Sequence, residues 1–192
     1  MLTPVTAAIL TENSLYFIFL VIAAMALGVY LKLTSGTKKG SRADILMEKY
    51  KTMDRQTLES IPDGMLVDAV IANLMSKIDE KKGDDYLTIP LLSPGRCAVY
   101  SIWLTIKELE SKGLQGFLSG KPGRFAGLAA DGLELVGAER SGGAMREILN
   151  AAEDATGLPE LENRLKNSIS QENPLKMCVE YIRANPDEFL DE

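Results

Sequence analysis

Paired carboxylates are the residues here that could do chemistry, because an acid and a base set on either side of a bond can pass a proton across it. Asp84 and Asp85 are adjacent, and Glu108 and Glu110 lie two apart. Neither spacing builds a dyad: neighbouring side chains on an extended chain point apart, and residues two apart on a helix do not share a face. The chain has no histidine, so it lacks the commonest general base and the commonest metal ligand. Cys97 and Cys178 are far apart and in no CxxC spacing. That leaves neither a zinc site nor a redox pair, and suits two buried thiols in a reducing compartment. Lys121-Pro122-Gly123-Arg124 offers glycine beside lysine, yet the phosphate-loop order GxxxxGK followed by Ser or Thr is absent and no strand precedes it. It reads as a loop between helices. The sequence therefore predicts no catalytic residues, no bound metal and no cofactor.

The element that positions everything else is Asn13 to Leu31, nineteen residues without a charge. At a helical rise of about 1.5 Å per residue they reach ~28 Å, close to a hydrocarbon thickness of ~30 Å, so the run predicts one transmembrane helix. Ala24-Met25-Ala26 has the small-x-small form of a signal-peptidase site, but a signal peptide carries its basic residues before the apolar run. Here the first ones are Lys32, Lys38, Lys39 and Arg42, all after it. A buried core helix would be shorter and carry a polar face. Because basic flanks stay inside, the N-terminus is expected outside and the remainder in the cytoplasm. That makes a single-pass protein of the inner (cytoplasmic) membrane of a bacterial-type cell. Tyr16 and Tyr30 suit the interfacial belts at the two ends of the span.

Three regions follow: residues 1–33 as tail and transmembrane helix, 34–43 as a basic flexible linker, and 44–192 as an acidic helical domain large enough for one hydrophobic core. Of 21 basic and 27 acidic residues, positions 1–43 hold four and one, leaving 17 and 26 and a net charge of −9 for residues 44–192. Such a surface repels nucleic acid and anionic headgroups and attracts basic protein surfaces. Direct nucleic-acid binding is not expected.

Apolar spacing near 3.6 residues predicts an all-α domain. Arg42 to Ser60 reads as one amphipathic helix, and Gly64 to Glu80 as a second, capped by Asp63 and striped by Leu66, Val67, Val70, Ile71, Leu74, Met75 and Ile78. Tyr86 to Leu92 reads as an apolar loop. Ser93-Pro94 is a helix-start signature for a helix to about Ser111, with Trp103 as a core anchor and Lys112-Gly113 as its stop. Leu114 to Gly120 is expected to form a turn, and Arg124 to Val136 a helix ended by Gly137. A helix capped by Ser141 follows, then Leu158 to Ile169, then a last helix from Pro174 that breaks before Pro186. The acidic ending Asp187 to Glu192 reads as a solvated tail, with a partner-docking tail as the alternative.

Within this order, Tyr100-Ser101-Ile102-Trp103, then Glu108-Leu109-Glu110-Ser111-Lys112-Gly113-Leu114-Gln115-Gly116-Phe117-Leu118, then Leu135-Val136-Gly137-Ala138 resembles the bacterial DNA mimic protein 19 family. Ile61 to Val70 resembles the family's first helix, so the likeness covers about residues 60–155. The family's signature Glu-Val-x-Asn-Gly-Gly-Phe-x-Gln-Phe, laid without gaps, keeps Glu108, Gly113 and Phe117 and replaces two apolar positions by Leu109 and Leu114. It loses an asparagine to Ser111, a glycine to Lys112 and a glutamine to Gly116. Trp103 and Gly137 complete the shared positions. The resemblance implies a compact α-helical domain whose acidic face stands in for DNA phosphates and occupies a DNA-binding protein. Glu108, Glu110, Asp131, Glu134, Glu153 and Asp154 are the candidates for that face, which requires carboxylates spaced like phosphates on one rigid surface.

Three readings stand side by side. The leading one is a membrane-anchored, non-catalytic interaction module, with a DNA mimic as its sharpest form and a homodimer compatible with it. The second is a hydrolase built on the carboxylate pairs. The third is a small subunit of a membrane complex, in which Ala23, Ala24, Ala26 and Gly28 let partner helices approach.

Overall fold

Ser93, followed by proline, starts the helix on which the fold is built. In the computed structural model, which describes residues 41–78, 84–151 and 157–191, the Ser93 hydroxyl oxygen accepts from the Arg96 N–H at 3.3 Å. The helix then runs from Pro94 to Ser119. In chain order the helices are α1 (Arg42–Lys49), α2 (Arg55–Ser60), α3 (Asp63–Lys77), α4 (Pro94–Ser119), α5 (Ala126–Leu135), α6 (Glu139–Ala151), α7 (Leu158–Glu172) and α8 (Pro174–Ala184). No strand occurs among the described residues, and the domain is all-α. No helix among them is long and apolar enough to cross a membrane. The expected span at 13–31 lies outside the described residues, as do linker residues 34–40.

The expected stop at Lys112-Gly113 is a kink rather than an end. Gly113 sits at φ 69° and ψ 178°, a region that only glycine occupies without strain. Glu162 on α7 accepts from the Leu114 N–H that the kink frees. Helix then resumes, re-aimed so that Leu114 and Phe117 are both wholly buried, where a turn was expected. Gly113→Ala is expected to cost about 1–3 kcal/mol, read as a lowered urea midpoint with an unchanged slope.

Other boundaries are set by local caps or by partners remote in sequence. The single helix expected over Arg42 to Ser60 is two, because Asp54 accepts from the Thr57 N–H at 2.7 Å and starts α2 afresh. Asp63 does not cap α3; Pro62 precedes that helix without a side-chain cap, and Asp63 instead pairs with Arg183 at 2.7 Å. The expected loop at Tyr86 to Leu92 is two 3-10 turns, Asp85–Leu87 and Ile89–Leu91, and a third covers Lys121–Phe125 where the lysine-glycine loop was expected. Ser141 lies inside α6, and its start is capped from afar: Glu172 accepts from the Arg140 N–H at 2.9 Å and the Ser141 N–H at 2.8 Å. Gly137, at φ 89°, does end α5 as expected. Ala138 N–H donates to Leu133 O at 2.7 Å and Gly137 N–H to Glu134 O at 3.0 Å, closing the last carbonyls.

Helix α4 packs on α3, α5, α7 and α8; α5 packs on to α6 and α6 to α7, while α1 lies on α3 and α3 also meets α8. The core these helices share includes Leu66, Val70, Leu74, Ile102, Phe117, Phe125, Ile148, Leu165 and Ile182. Each such side chain contributes ~1.5–3 kcal/mol by leaving water. Cys178 is buried with them and Cys97 is half-buried; both are free thiols, and burial pushes Cys178 up to about 12.

Candidate interaction surface

Of the acidic positions proposed from the resemblance, the four that are described are not all free. Arg146 on α6 reaches across to α5 and takes two of them, Glu134 through Nε at 2.6 Å and Asp131 through Nη2 at 2.9 Å. The bond from Arg146 holds the Glu134 carboxyl below its ordinary range. On α4, Glu108 is largely covered and pairs with Lys112 at 2.6 Å. Glu110 alone of the four described is both exposed and unpaired. No hydrogen bond or ion pair joins the α4 pair to the α5 pair. Glu153 and Asp154 lie outside the described residues. Glu48, Asp68 and Glu139 are further exposed carboxylates with no partner.

Asp84 and Asp85 are likewise separated by their partners. Asp84 pairs with Arg124 at 2.7 Å, and Asp85 accepts from the Tyr100 hydroxyl. Burial and that bond raise the Tyr100 phenol. No group of three His, Cys, Asp or Glu among the described residues is placed to hold a metal.

The acidic tail is not a solvated end. Asp191 Oδ2 accepts from the Met53 N–H at 2.8 Å, Asn73 Nδ2 at 3.0 Å and Lys77 Nζ at 2.8 Å, while Oδ1 accepts from Arg96 Nη2 at 2.8 Å. Its side chain and that of Arg96 are each only 11% exposed. Burial alone would raise this carboxyl, but the four donors hold it below its ordinary value. One turn earlier, Glu188 accepts from the Gly95 N–H at 2.6 Å and the Tyr181 hydroxyl at 2.9 Å, capping α4 beside Ser93. Phe189 between them is buried. The tail is thus a strap tying together the α1–α2 junction, α3, the start of α4, and α8.

Trp103, expected inside the core, is only half-buried, and it divides two surface depressions. The larger, about 490 Å³, is floored by Gly64 and Val67 of α3, Trp103 of α4, and Leu175 and Val179 of α8. Asp63, Asp68, Glu180 and Lys176 rim it. The second, about 320 Å³, holds Leu46, Met47, Ile71 and Met75, with Arg42 and Lys107 at its edge. Lys107 Nζ sits 4.6 Å from the centre of the Trp103 ring. Asp68 and Trp103 belong to both. The sequence did carry a signal for this groove: the stripe on α3 is too wide for one core face. Its edge residues Val67 and Met75 are half-buried and exposed.

Among the described residues, fold and surface together define an acidic all-α domain with its charge largely drawn into ion pairs and an apolar groove left open beside Trp103. The chain belongs to the family of DMP19-like proteins, whose pattern matches residues 90–191. The match differs from the 60–155 expected: it takes in α7, α8 and the strap and leaves out Ile61 to Val70. No curated protein and no solved structure matches the chain.

Proposed function

We propose that the chain is a membrane-tethered, non-catalytic interaction module whose acidic helical domain binds a basic surface on a cytoplasmic protein, a DNA-binding protein in the sharpest form of the reading. The observation that carries it is the excess charge: residues 44–192 hold 26 acidic and 17 basic residues. Membership of the DMP19-like family supports the same direction. Among the described residues, the carboxylates left for a partner are Glu48, Asp68, Glu110 and Glu139 rather than the ion-paired Asp131 and Glu134. Of the acid pairs that a hydrolase would need, Asp84 and Asp85 are held by Arg124 and Tyr100, and Glu108 is held by Lys112 while Glu110 stands free. Tethering comes from the uncharged run Asn13 to Leu31.

The test is affinity capture with the full chain in detergent micelles as bait, eluted in steps of rising salt, with duplex DNA as competitor. Nucleic-acid-binding proteins are expected to leave at moderate salt and to be displaced by DNA, since exposed charge pairs are screened within about 10 Å at 0.1 M. Capture that is insensitive to both salt and DNA overturns the reading.

A further inference from the structure

The geometry points to the Trp103 groove as the docking site for a basic amphipathic segment of a partner protein, with apolar side chains entering beside Trp103 and a Lys or Arg pairing with Asp68. This deepens the interaction-module reading and rests on it. The larger lobe has an apolar floor, which takes side chains that leave water at ~25 cal/mol per Å² buried. The rim of the larger lobe carries three carboxylates against one lysine, while Arg42 and Lys107 edge the smaller one, so the demand for a cation rests on the carboxylate left unpaired. Asp63 and Glu180 already have Arg183 and Lys176 as partners at 2.7 and 3.5 Å. Asp68, at the junction of the two lobes, has none. Tryptophan is among the residues that carry most binding energy at protein interfaces, and here it stands half-covered beside an unpaired carboxylate. Gly64 extends the floor, and a Cβ built on it meets nothing within 4 Å. A side chain added there therefore fills the groove without displacing core.

Trp103 is the only tryptophan in the chain, so its fluorescence reports on this groove alone. The probe is a synthetic fourteen-residue peptide of leucine and lysine at helical spacing, with a leucine–glutamate peptide as control. Both are titrated against the full chain in dodecylmaltoside micelles while Trp103 emission and the anisotropy of a labelled peptide are read together. The leucine–lysine peptide is expected to shift the emission to the blue, the control to leave it unchanged. Asp68→Lys and Gly64→Phe are each expected to weaken binding at least tenfold while thermal melting stays at the wild-type temperature. An unchanged emission overturns the site. So does equal binding by both variants, or a shift produced by anionic vesicles and not by the peptide. Peptide that binds by anisotropy while Trp103 emission stays constant overturns this site yet leaves the charge-driven interaction module standing, whereas no binding in either channel removes both.

Discussion

Asp191→Ala is expected to destabilise the domain by about 3–5 kcal/mol, because it leaves a nearly buried guanidinium without its anion. Arg96 is 11% exposed and, among the described residues, has Asp191 as its only carboxylate; its other Nη2 bond goes to Phe189 O at 2.8 Å. Asn73, itself buried, and Lys77 lose an acceptor in the same step. Urea denaturation of the full chain, followed by far-ultraviolet dichroism, measures the loss; a cost below ~1 kcal/mol would mean that the strap holds by Phe189 alone. The same carboxylate sets an acid limb. Its folded pKa lies below that of the unfolded chain, so its stabilisation is complete above the ordinary aspartate value, about 3.9. The stabilisation is lost as pH falls through the lowered folded value. Asp191→Asn is expected to flatten that limb while lowering stability at neutral pH. A profile between pH 2 and pH 6 that matches the wild type would contradict the hub.

Phe117→Ala is expected to cost about 3–5 kcal/mol, the range for removing a fully buried phenylalanine and leaving a cavity. Phe117 is 0% exposed and reaches the core only because the chain bends at Gly113. Phe117→Leu fills most of the volume and is expected to cost less than about 1.5 kcal/mol. The ratio of the two, read from urea midpoints, separates a packing role from a binding role. If Phe117 were a recognition residue, both variants would lose partner affinity at temperatures where they remain folded. A groove titration that follows Trp103 emission supplies that control.

Helix type was legible in the sequence because it rests on local spacing. Ser93-Pro94 starts α4, Gly137 ends α5 with its paired carbonyl bonds, and α8 runs from Pro174 to just short of Pro186. At Asn173 one left-handed residue, φ 52°, both closes α7 and caps α8. What was illegible depends on carboxylates that act at a distance. Glu172 caps α6 and Glu188 caps α4, and nothing in either residue's neighbours distinguishes it from a solvated glutamate. The pairing of two candidate-face carboxylates was hidden for the same reason. Asp131 and Glu134 lie on an exposed helix face as expected, but the arginine that neutralises them stands on the next helix. Trp103 was placed in the core on base rates for a lone tryptophan. The neighbouring α3 stripe, wider than one face needs, was the better guide.

The bond from Met53 to Asp191 closes a sequence separation of 138 residues. Helical hairpins such as α5–α6 form from local contacts on fast timescales, whereas a closure this long must first give up loop entropy. On a ribosome the residues that complete the ring emerge after every helix that they tie together. Until they do, Arg96 and Asn73 wait without their anion. Refolding of this domain is therefore expected to show a fast phase, the winding of α4 to α7, and a slower sealing step. The junction that the seal protects, around Met53 and Asn73, is the place where amide hydrogens are first expected to exchange when the native state opens.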